Sequence, residues 1–312
     1  MIRSHAEFIQ ANGSSWENGP DSHPPRRRIR GIRHRNPPSV QSKPVVLITG
    51  ASSGIGRACA EYLHSRGYCV YGTSRKAQED VAAPGGFRMI EMDVTEEESV
   101  QRGVQLVLTR EGVLDVVLNN AGDGVAGAVE DTSIEEARQQ FETNFFGALR
   151  VCRAVLPAMR RRGSGLIVNV SSLGGLVALP FQGLYSASKF ALEGMTEALR
   201  MEVRPHGVRV ALLEPGDFHT GFTSAGRAAR DAPRGVYRQR FLNALAAMER
   251  DESGGADPQL VARTLERIIV ARAPRLRYKV GAWTQRFAAG WLRKVLPQRL
   301  FERLMMASYG VG

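Results

Sequence analysis

From Pro44 onward the chain alternates short apolar runs with amphipathic stretches. The segments "PVVLITG" (44–50), "YCVYGTS" (68–74), "FRMIEMDV" (87–94), "LDVVLNNAG" (114–122), "GLIVNVSS" (165–172) and "VRVALLEPG" (208–216) are brief and rich in β-branched residues. Each is closed by turn-forming residues, so they predict six buried strands. Between them, "GIGRACAEYLHSRG" and "SIEEARQQFETNFFGALRVCRAVLPAMRRRG" carry helical spacing. Strand and helix in regular alternation predict an α/β fold: a single doubly wound parallel sheet flanked by helices, joined by right-handed crossovers. Such sheets bind ligands beyond the carboxyl ends of their strands, and the polar motifs of this chain fall there.

The two ends have a different character. Residues 1–43, including "PDSHPPRRRIRGIRHRNPPSVQSKP", lack apolar periodicity and predict a disordered basic tail. Residues 44–275 form the expected cofactor-binding catalytic domain. Within it, 221–260, rich in Ala, Gly and Arg, is expected to be a helical lid over the substrate. Residues 276–312 predict an amphipathic C-terminal extension. Trp283, Phe287, Trp291 and Val295 recur at i+4 steps, Arg286, Arg293 and Lys294 take other faces, and Pro297 interrupts the helix. Such a stripe packs on the body or on another subunit, or rests on an acidic membrane surface.

The 312 residues are 43% hydrophobic and 23% charged, enough to bury a full core. Charge adds one distinction. Of the net +11, residues 1–43 carry +5 (eight Lys/Arg, three Asp/Glu) and residues 272–304 carry +8 (nine and one), which leaves −2 for the rest. A near-neutral body with basic ends is not the profile of a fold built throughout to hold nucleic acid. The cluster Arg26, Arg27, Arg28, Arg30, Arg33 and Arg35 is read as a solvated tail ahead of a nucleic-acid or lipid contact. Cys59, Cys69 and Cys152 are odd in number and scattered, which suggests neither a disulfide framework nor a zinc site and fits a reducing cytoplasm. The chain shows no apolar run of eighteen residues and no N-terminal apolar core, so neither a membrane span nor a secretory signal is expected.

Three stretches carry candidate chemistry. "TGASSGIGR" (49–57) lies between the first strand and the first helix, where Gly50, Gly54 and Gly56 permit a tight turn and close approach of backbone to a pyrophosphate. The second strand ends in "GTSRKA". Thr73, Ser74 and Arg75, with Lys76 as a weaker second cation, offer hydroxyls and a guanidinium where an NAD-specific site places a carboxylate. That chemistry suits the 2′-phosphate of NADP, so NADP(H) is favoured over NAD(H). In "YSASKFALEG" (185–194), Tyr185 and Lys189 stand four residues apart and share one helical face, as a proton-donor site requires.

These motifs, with "DV" at Asp93–Val94, "NNAG" at 119–122, Asn144 in "TNFFG", "NVSS" at 169–172 and "EPGDFHT" at 214–220, resemble in order and spacing the classical short-chain dehydrogenase/reductases, over roughly Pro44 to Thr220. The stretch "SSLGGLVALPFQGLYSASKFALEG" is similar to their steroid and retinol dehydrogenase-like branch. The resemblance implies a Rossmann-type fold and a catalytic set of Asn144, Ser172, Tyr185 and Lys189. Tyr185 would be the general acid, its pKa of about 10 lowered by Lys189 and the nicotinamide charge. Ser172, preferred over Ser171 for its spacing to Tyr185, would hold the substrate oxygen. Asn144 would hold a water linking Lys189 to solvent.

It further implies cofactor contacts from Gly50, Ser52, Ser53, Gly54, Ile55, Gly56, Ser74, Arg75, Asp93, Val94, Asn120, Ala121, Gly122, Tyr185, Lys189, Pro215, Gly216 and Thr220. No metal is implied, because the cofactor carries the hydride chemistry, and His219 is read as a loop residue. Leu173, Leu179, Phe181 and Phe218 are expected to form an apolar substrate wall. The function expected is NADP(H)-dependent interconversion of a hydrophobic alcohol and its ketone or aldehyde. The partners expected are that small molecule and a homo-oligomeric copy, with peripheral membrane contact by the C-terminal helix. Two other readings stay open: a catalytically silent NADP-binding regulator, and a nucleic-acid binder acting through the basic tail.

Overall fold

In the computed structural model, which describes residues 43–77, 81–287 and 293–312, seven strands run parallel. They are β1 (Val45–Ile48), β2 (Cys69–Ser74), β3 (Arg88–Glu91), β4 (Val116–Asn119), β5 (Gly165–Val170), β6 (Val208–Pro215) and β7 (Arg277–Val280). Their order across the sheet is β7-β6-β5-β4-β1-β2-β3, with Val81–Ala82 added antiparallel at the β3 edge. The sequence direction reverses between β1 and β4, and the chain leaves a crevice at their carboxyl ends. The basic tail falls outside the described residues, except for Lys43.

The strands read as almost unbroken apolar runs because both faces are covered. Side chains alternate between the faces. Val46, Ile48, Val116, Leu118, Leu166 and Val168 meet α1 (Gly54–Ser65) and α7 (Gln259–Val270) on one side. Val45, Leu47, Val117, Ile167 and Val210 meet α2 (Glu97–Glu111), α4 (Ala148–Arg162) and α5 (Gly183–Val203) on the other. Helix α7 buries Val261, Ala262, Leu265, Ile268 and Ile269, an i, i+4, i+7, i+8 stripe with one added small residue. Each fully buried branched side chain contributes about 2 kcal/mol of transfer free energy, so this two-sided core dominates the fold.

The helix predicted over 133–163 is three pieces. Ser133 and Glu136 form a reciprocal capping box that starts α3 (Ile134–Phe141). A π-helical turn, Glu142–Gly147, follows, and α4 then continues the chain. The lid region 221–260 contains a short helix, Phe222–Ala225, the longer α6 (Arg238–Ser253) and the first residues of α7. Beyond β7, Trp283–Phe287 and Arg293–Val295 are short helical turns, and α8 (Gln298–Ser308) begins after Pro297. Of the expected apolar stripe, Trp291 lies outside the described residues, and Trp283, Phe287 and Val295 are exposed. Among the described residues no helix is long and apolar enough to cross a membrane.

Seven strands stand where six were predicted, and the sheet passes the boundary drawn at residue 275. Strand β7 escaped the apolar pattern because "RYKV" is an edge strand in which only Val280 is fully buried. Arg277 ties it down. Its guanidinium reaches Glu193 at 2.7 Å, Glu197 at 2.7 Å and Glu214 at 3.0 Å, and Glu214 is wholly buried. Burial, then the neighbouring Glu193 carboxylate, pushes Glu214 up to about 7 against the pull of Arg277. Removing one member of a buried ionic group leaves the others uncompensated. Arg277→Ala is therefore expected to lower the unfolding free energy by about 3 kcal/mol, read from urea midpoints; a loss indistinguishable from zero would show that water replaces the guanidinium.

Candidate active site

At the sheet reversal, one threonine joins the two strand ends. The Thr49 hydroxyl accepts the amides of Asn120 and Ala121, both at 2.9 Å, and donates to the Leu118 carbonyl at 3.4 Å. The Asn120 side-chain amide answers by donating to the carbonyls of Thr49 (2.9 Å) and Gly50 (3.1 Å). Above this clamp the glycine loop turns into α1. Gly50 and Gly54 take φ of +65° and +54°, and a Cβ on Gly56 would stand 2.3 Å from the Gly50 carbonyl oxygen. Only glycine fits there. The loop and the α1 N-terminus form a cradle for a pyrophosphate.

The cradle opens into a cavity of about 590 Å³. Of the expected cofactor residues, all but Gly56 line it, and Gly56 supports the loop from behind. Arg75 and Lys76 line it at the end of β2. Beneath them the buried Thr73 hydroxyl has no hydrogen-bond partner among the described residues. Asp93 accepts from the amide and hydroxyl of Thr95 at 2.9 and 2.8 Å, which holds its loop. The residues present therefore fit a dinucleotide, with its pyrophosphate over the glycines.

Three of the four catalytic candidates, Ser172, Tyr185 and Lys189, line the same cavity, and Asn144 is buried behind it. Helix α5 carries Tyr185 and Lys189, with the Lys189 ammonium 5.7 Å from the centre of the Tyr185 ring. Lys189 is buried and donates to the Val170 carbonyl at 3.0 Å. Burial lowers it to about 8, with the Asp123 and Glu193 carboxylates acting the other way. Burial raises the Tyr185 phenol, a hydrogen bond with Ser172 opposes that rise, and Asp217 adds to it. The Ser172 hydroxyl also accepts the Gly174 amide at 3.0 Å. Ser171 lies against Glu193 instead, so Ser172 is the serine of the pair that faces Tyr185.

Asn144 sits in the π-helical turn, a local widening typical of functional sites. It is buried, accepts the Asp123 amide at 2.9 Å, and donates to the Asp123 carbonyl and the Ser188 hydroxyl, both at 3.1 Å. A Cβ on Gly122 would come within 3.1 Å of the Asn144 carbonyl oxygen and 3.6 Å of the Lys189 ammonium. The missing side chain leaves those two groups facing a shared space.

The expected substrate wall is divided. Leu179 lines the cavity. Phe218 reaches it from the main core, where it is 3% exposed. Leu173 and Phe181 do not line it: Leu173 is buried beneath Gly216, and Phe181 packs on Phe241 at the start of α6. Phe181 also holds a left-handed φ of 58°, uncommon for a residue with a side chain. Sequence reasoning missed Phe222, Met248, Asp217, Asp251, Glu252 and Tyr309 as cavity residues. All but Asp217, which follows β6 in the "EPGDFHT" stretch, come from the lid and the far C-terminus, whose return to the site no local pattern announces. Thr220 is held by the Glu252 carboxylate, which it contacts at 2.8 Å. Burial would raise Glu252, but the hydroxyls and amides of Thr223, Thr220 and Phe222 outweigh that and hold it below its usual range.

A family model described as short chain dehydrogenase matches residues 44–231. The chain belongs to the short-chain dehydrogenases. It is 41% identical over 268 residues to the 3-ketodihydrosphingosine reductase of Bacteroides thetaiotaomicron, covering 86% of this chain and 98% of that one. It is 37% identical over 251 residues to the 17-beta-hydroxysteroid dehydrogenase type 1 of Mus musculus, covering 75% and 72%. Solved short-chain dehydrogenases share the fold. One from Burkholderia cenocepacia in complex with NADP is 30% identical, with a TM-score of 0.63 and coverage of 84% and 98%. One from Burkholderia phymatum in complex with NAD is 29% identical, with a TM-score of 0.65 and coverage of 76% and 89%. The chain is thus an oxidoreductase acting on CH–OH groups with a nicotinamide dinucleotide.

Burying the Lys189 ammonium has a cost to the fold. A folded pKa below the unfolded one means that Lys189 burial favours the fold fully only above pH 10.5, and that this contribution is lost as pH falls through about 8. Lys189→Met should therefore raise the thermal midpoint relative to the parent at pH 6.5, with the gain disappearing near pH 10.5. Scanning calorimetry at the two pH values checks this; a variant less stable at pH 6.5 than at pH 10.5, each relative to the parent, would reverse the sign.

Proposed function

We propose that this short-chain dehydrogenase uses NADP(H) in preference to NAD(H) and reduces a ketone on a long apolar chain. The observation that carries the reading is the junction of two features in one cavity: Tyr185, Ser172 and Lys189, with Asn144 set behind them beside Gly122, and apolar walls from Leu179, Phe222 and Met248. The 41% identical relative, named for reduction of a 3-keto sphingoid base, supports an aliphatic keto compound over a steroid. Arg75 and Lys76, standing where a carboxylate would select NAD, support NADP.

Bound NADPH supplies the hydride. Ser172 hydrogen-bonds the substrate carbonyl oxygen and orients it toward Tyr185. Tyr185 delivers its phenolic proton to that oxygen as the carbonyl carbon is reduced, so the product is the alcohol. The Lys189 ammonium stabilises the phenolate left behind. The space shared by Lys189 and Asn144 holds a water through which the phenol is reprotonated. In this reading the enzyme is a cytoplasmic homo-oligomer with three free cysteines, and its tail, residues 1–43, is a solvated appendage.

The C-terminal region is proposed to rest on an acidic membrane surface. Trp283, Leu300 and Leu304 are exposed at 71%, 45% and 49%, and Arg299 and Arg303 flank the two leucines on α8. Such a mixed face suits an interface that also stores apolar substrates.

Two experiments test these statements. Tyr185→Phe should abolish turnover of a long-chain ketone while NADPH still binds, and Arg75→Ala should weaken NADPH at least about tenfold with little change for NADH. Substantial residual turnover in the first, or equal losses for both cofactors in the second, would refute the assigned roles. Arg299→Glu/Arg303→Glu should remove sedimentation with vesicles containing phosphatidylserine; unchanged sedimentation would show that α8 is not the membrane face.

A further inference from the structure

The C-terminus returns to the reaction centre. Val311 is buried with Ala244 and Met248 of α6. The Asn243 side-chain amide donates to the Gly310 carbonyl at 3.0 Å. Phe301 anchors α8 with 9% exposure. These contacts fasten the last turn to the lid helix and place Tyr309 in the cavity that holds Tyr185, Ser172 and Lys189. Burial raises the Tyr309 phenol out of its ordinary range, and Asp217, Asp251 and Tyr185 all act on it. The two tyrosines and Asp217 therefore surround one volume.

Asp217 is held by a two-point clamp. The Gln285 amide nitrogen donates to its Oδ2 at 2.6 Å, and the Asp217 backbone amide donates to Gln285 Oε1 at 3.2 Å. Oδ1 has no hydrogen-bond partner among the described residues. The charged groups acting on Asp217 are carboxylates, Asp251 and Glu252. Glu252 is occupied by Thr220, Phe222 and Thr223 and Asp251 is exposed, so Asp217 is the partly buried carboxylate with an open oxygen that acts on both Tyr185 and Tyr309. A carboxylate clamped in a cavity wall it shares with Leu179, Phe222 and Met248, with no cation among the groups acting on it, is costly unless a ligand brings one. Gln285 orients the group without neutralising it.

We propose that the C-terminal turn completes the substrate side of the cleft, and that Asp217, with the Tyr309 hydroxyl beside it, receives an ammonium group carried next to the reacting carbon. These two are specificity-determining residues, and the assignment rests on the carbonyl-reductase reading above. The substrate class is then a long-chain α-amino ketone. Its oxygen meets Ser172 and Tyr185, its nitrogen meets Asp217 and Tyr309, and its alkyl chain follows the apolar walls.

The test uses the full-length protein saturated with NADP⁺ and two probes, a long-chain α-amino alcohol and the same alcohol without its amine, titrated by calorimetry. The parent should bind the amino alcohol about tenfold tighter or more, as expected for a charge-assisted hydrogen bond. Asp217→Asn should erase that gap and Tyr309→Phe should narrow it, both with unchanged NADP⁺ affinity, which also reports that the variants fold. Equal binding of the two alcohols by the parent overturns the proposal, as does a gap that survives in both variants. Turnover of the matching ketones by the parent is measured separately. A binding gap without turnover leaves Asp217 as the ammonium site and removes the reductase reading; turnover without a gap does the reverse.

Discussion

The hydrogen bonds between Thr49 and Asn120 are the constraint on which the site depends. A parallel sheet that reverses direction between β1 and β4 leaves two strand ends side by side with unpaired backbone groups. Thr49 satisfies two amides of the β4 end through one hydroxyl, and Asn120 satisfies two carbonyls of the β1 end through one amide. The crevice is thereby closed at its base and open at its mouth. The glycine loop must then pass over the clamp at backbone distance, which is why Gly56 tolerates no side chain. The same four hydrogen bonds thus tie the cofactor cradle to the point where the strand order reverses.

The second strand pair extends this order toward the chemistry. Asn119 and Asn169 are register partners on β4 and β5, and their side chains meet at 2.8 Å. Asn169 donates onward to Thr196 on α5 at 2.8 Å. A polar chain inside an apolar core fixes α5 against the sheet more specifically than apolar contacts would. Helix α5 carries Tyr185 and Lys189, so its rotation sets where the phenol points. Lys189 is buried in the same region, on the Val170 carbonyl that ends β5. The fold holds this poorly solvated ammonium by one backbone carbonyl, within 5.7 Å of the Tyr185 ring centre.

The parts of this molecule legible in its sequence are those where one local pattern serves one physical demand. Apolar runs gave six of the seven parallel strands, and the glycine loop and the Tyr185–Lys189 spacing placed a backbone turn and a tyrosine–lysine pair on one cavity. Strand β7 was not legible, because its stability comes from Arg277 meeting three glutamates that lie 63 or more positions earlier in the chain. The π-helical turn was not legible either: "ETNFFG" has ordinary helical composition, and the turn is forced by the hydrogen bonds of Asn144 to Asp123 and Ser188. The substrate wall was half legible. Apolar residues near the serines were reasonable candidates, but Leu173 and Phe181 serve packing, and the cavity takes Phe222, Met248 and Tyr309 from segments far along the chain.

That division has a consequence for specificity. Cofactor and proton-transfer groups come from β1 to β6 and α5, which the two-sided core holds rigid. The rest of the cavity wall comes from the segment after β6 that carries Asp217, and from the lid and the last residues, which join the body through a few side chains such as Phe301, Asn243 and Val311. A change of substrate therefore needs no change in the sheet. It needs a different residue at Asp217 or Tyr309, or a tail that ends sooner. Because Gln285 holds Asp217 by two hydrogen bonds and Asn243 holds the last turn by one, the carboxylate is the better ordered of the two contacts. Charge recognition is thus built on the firmer support, and the phenol adjusts to it.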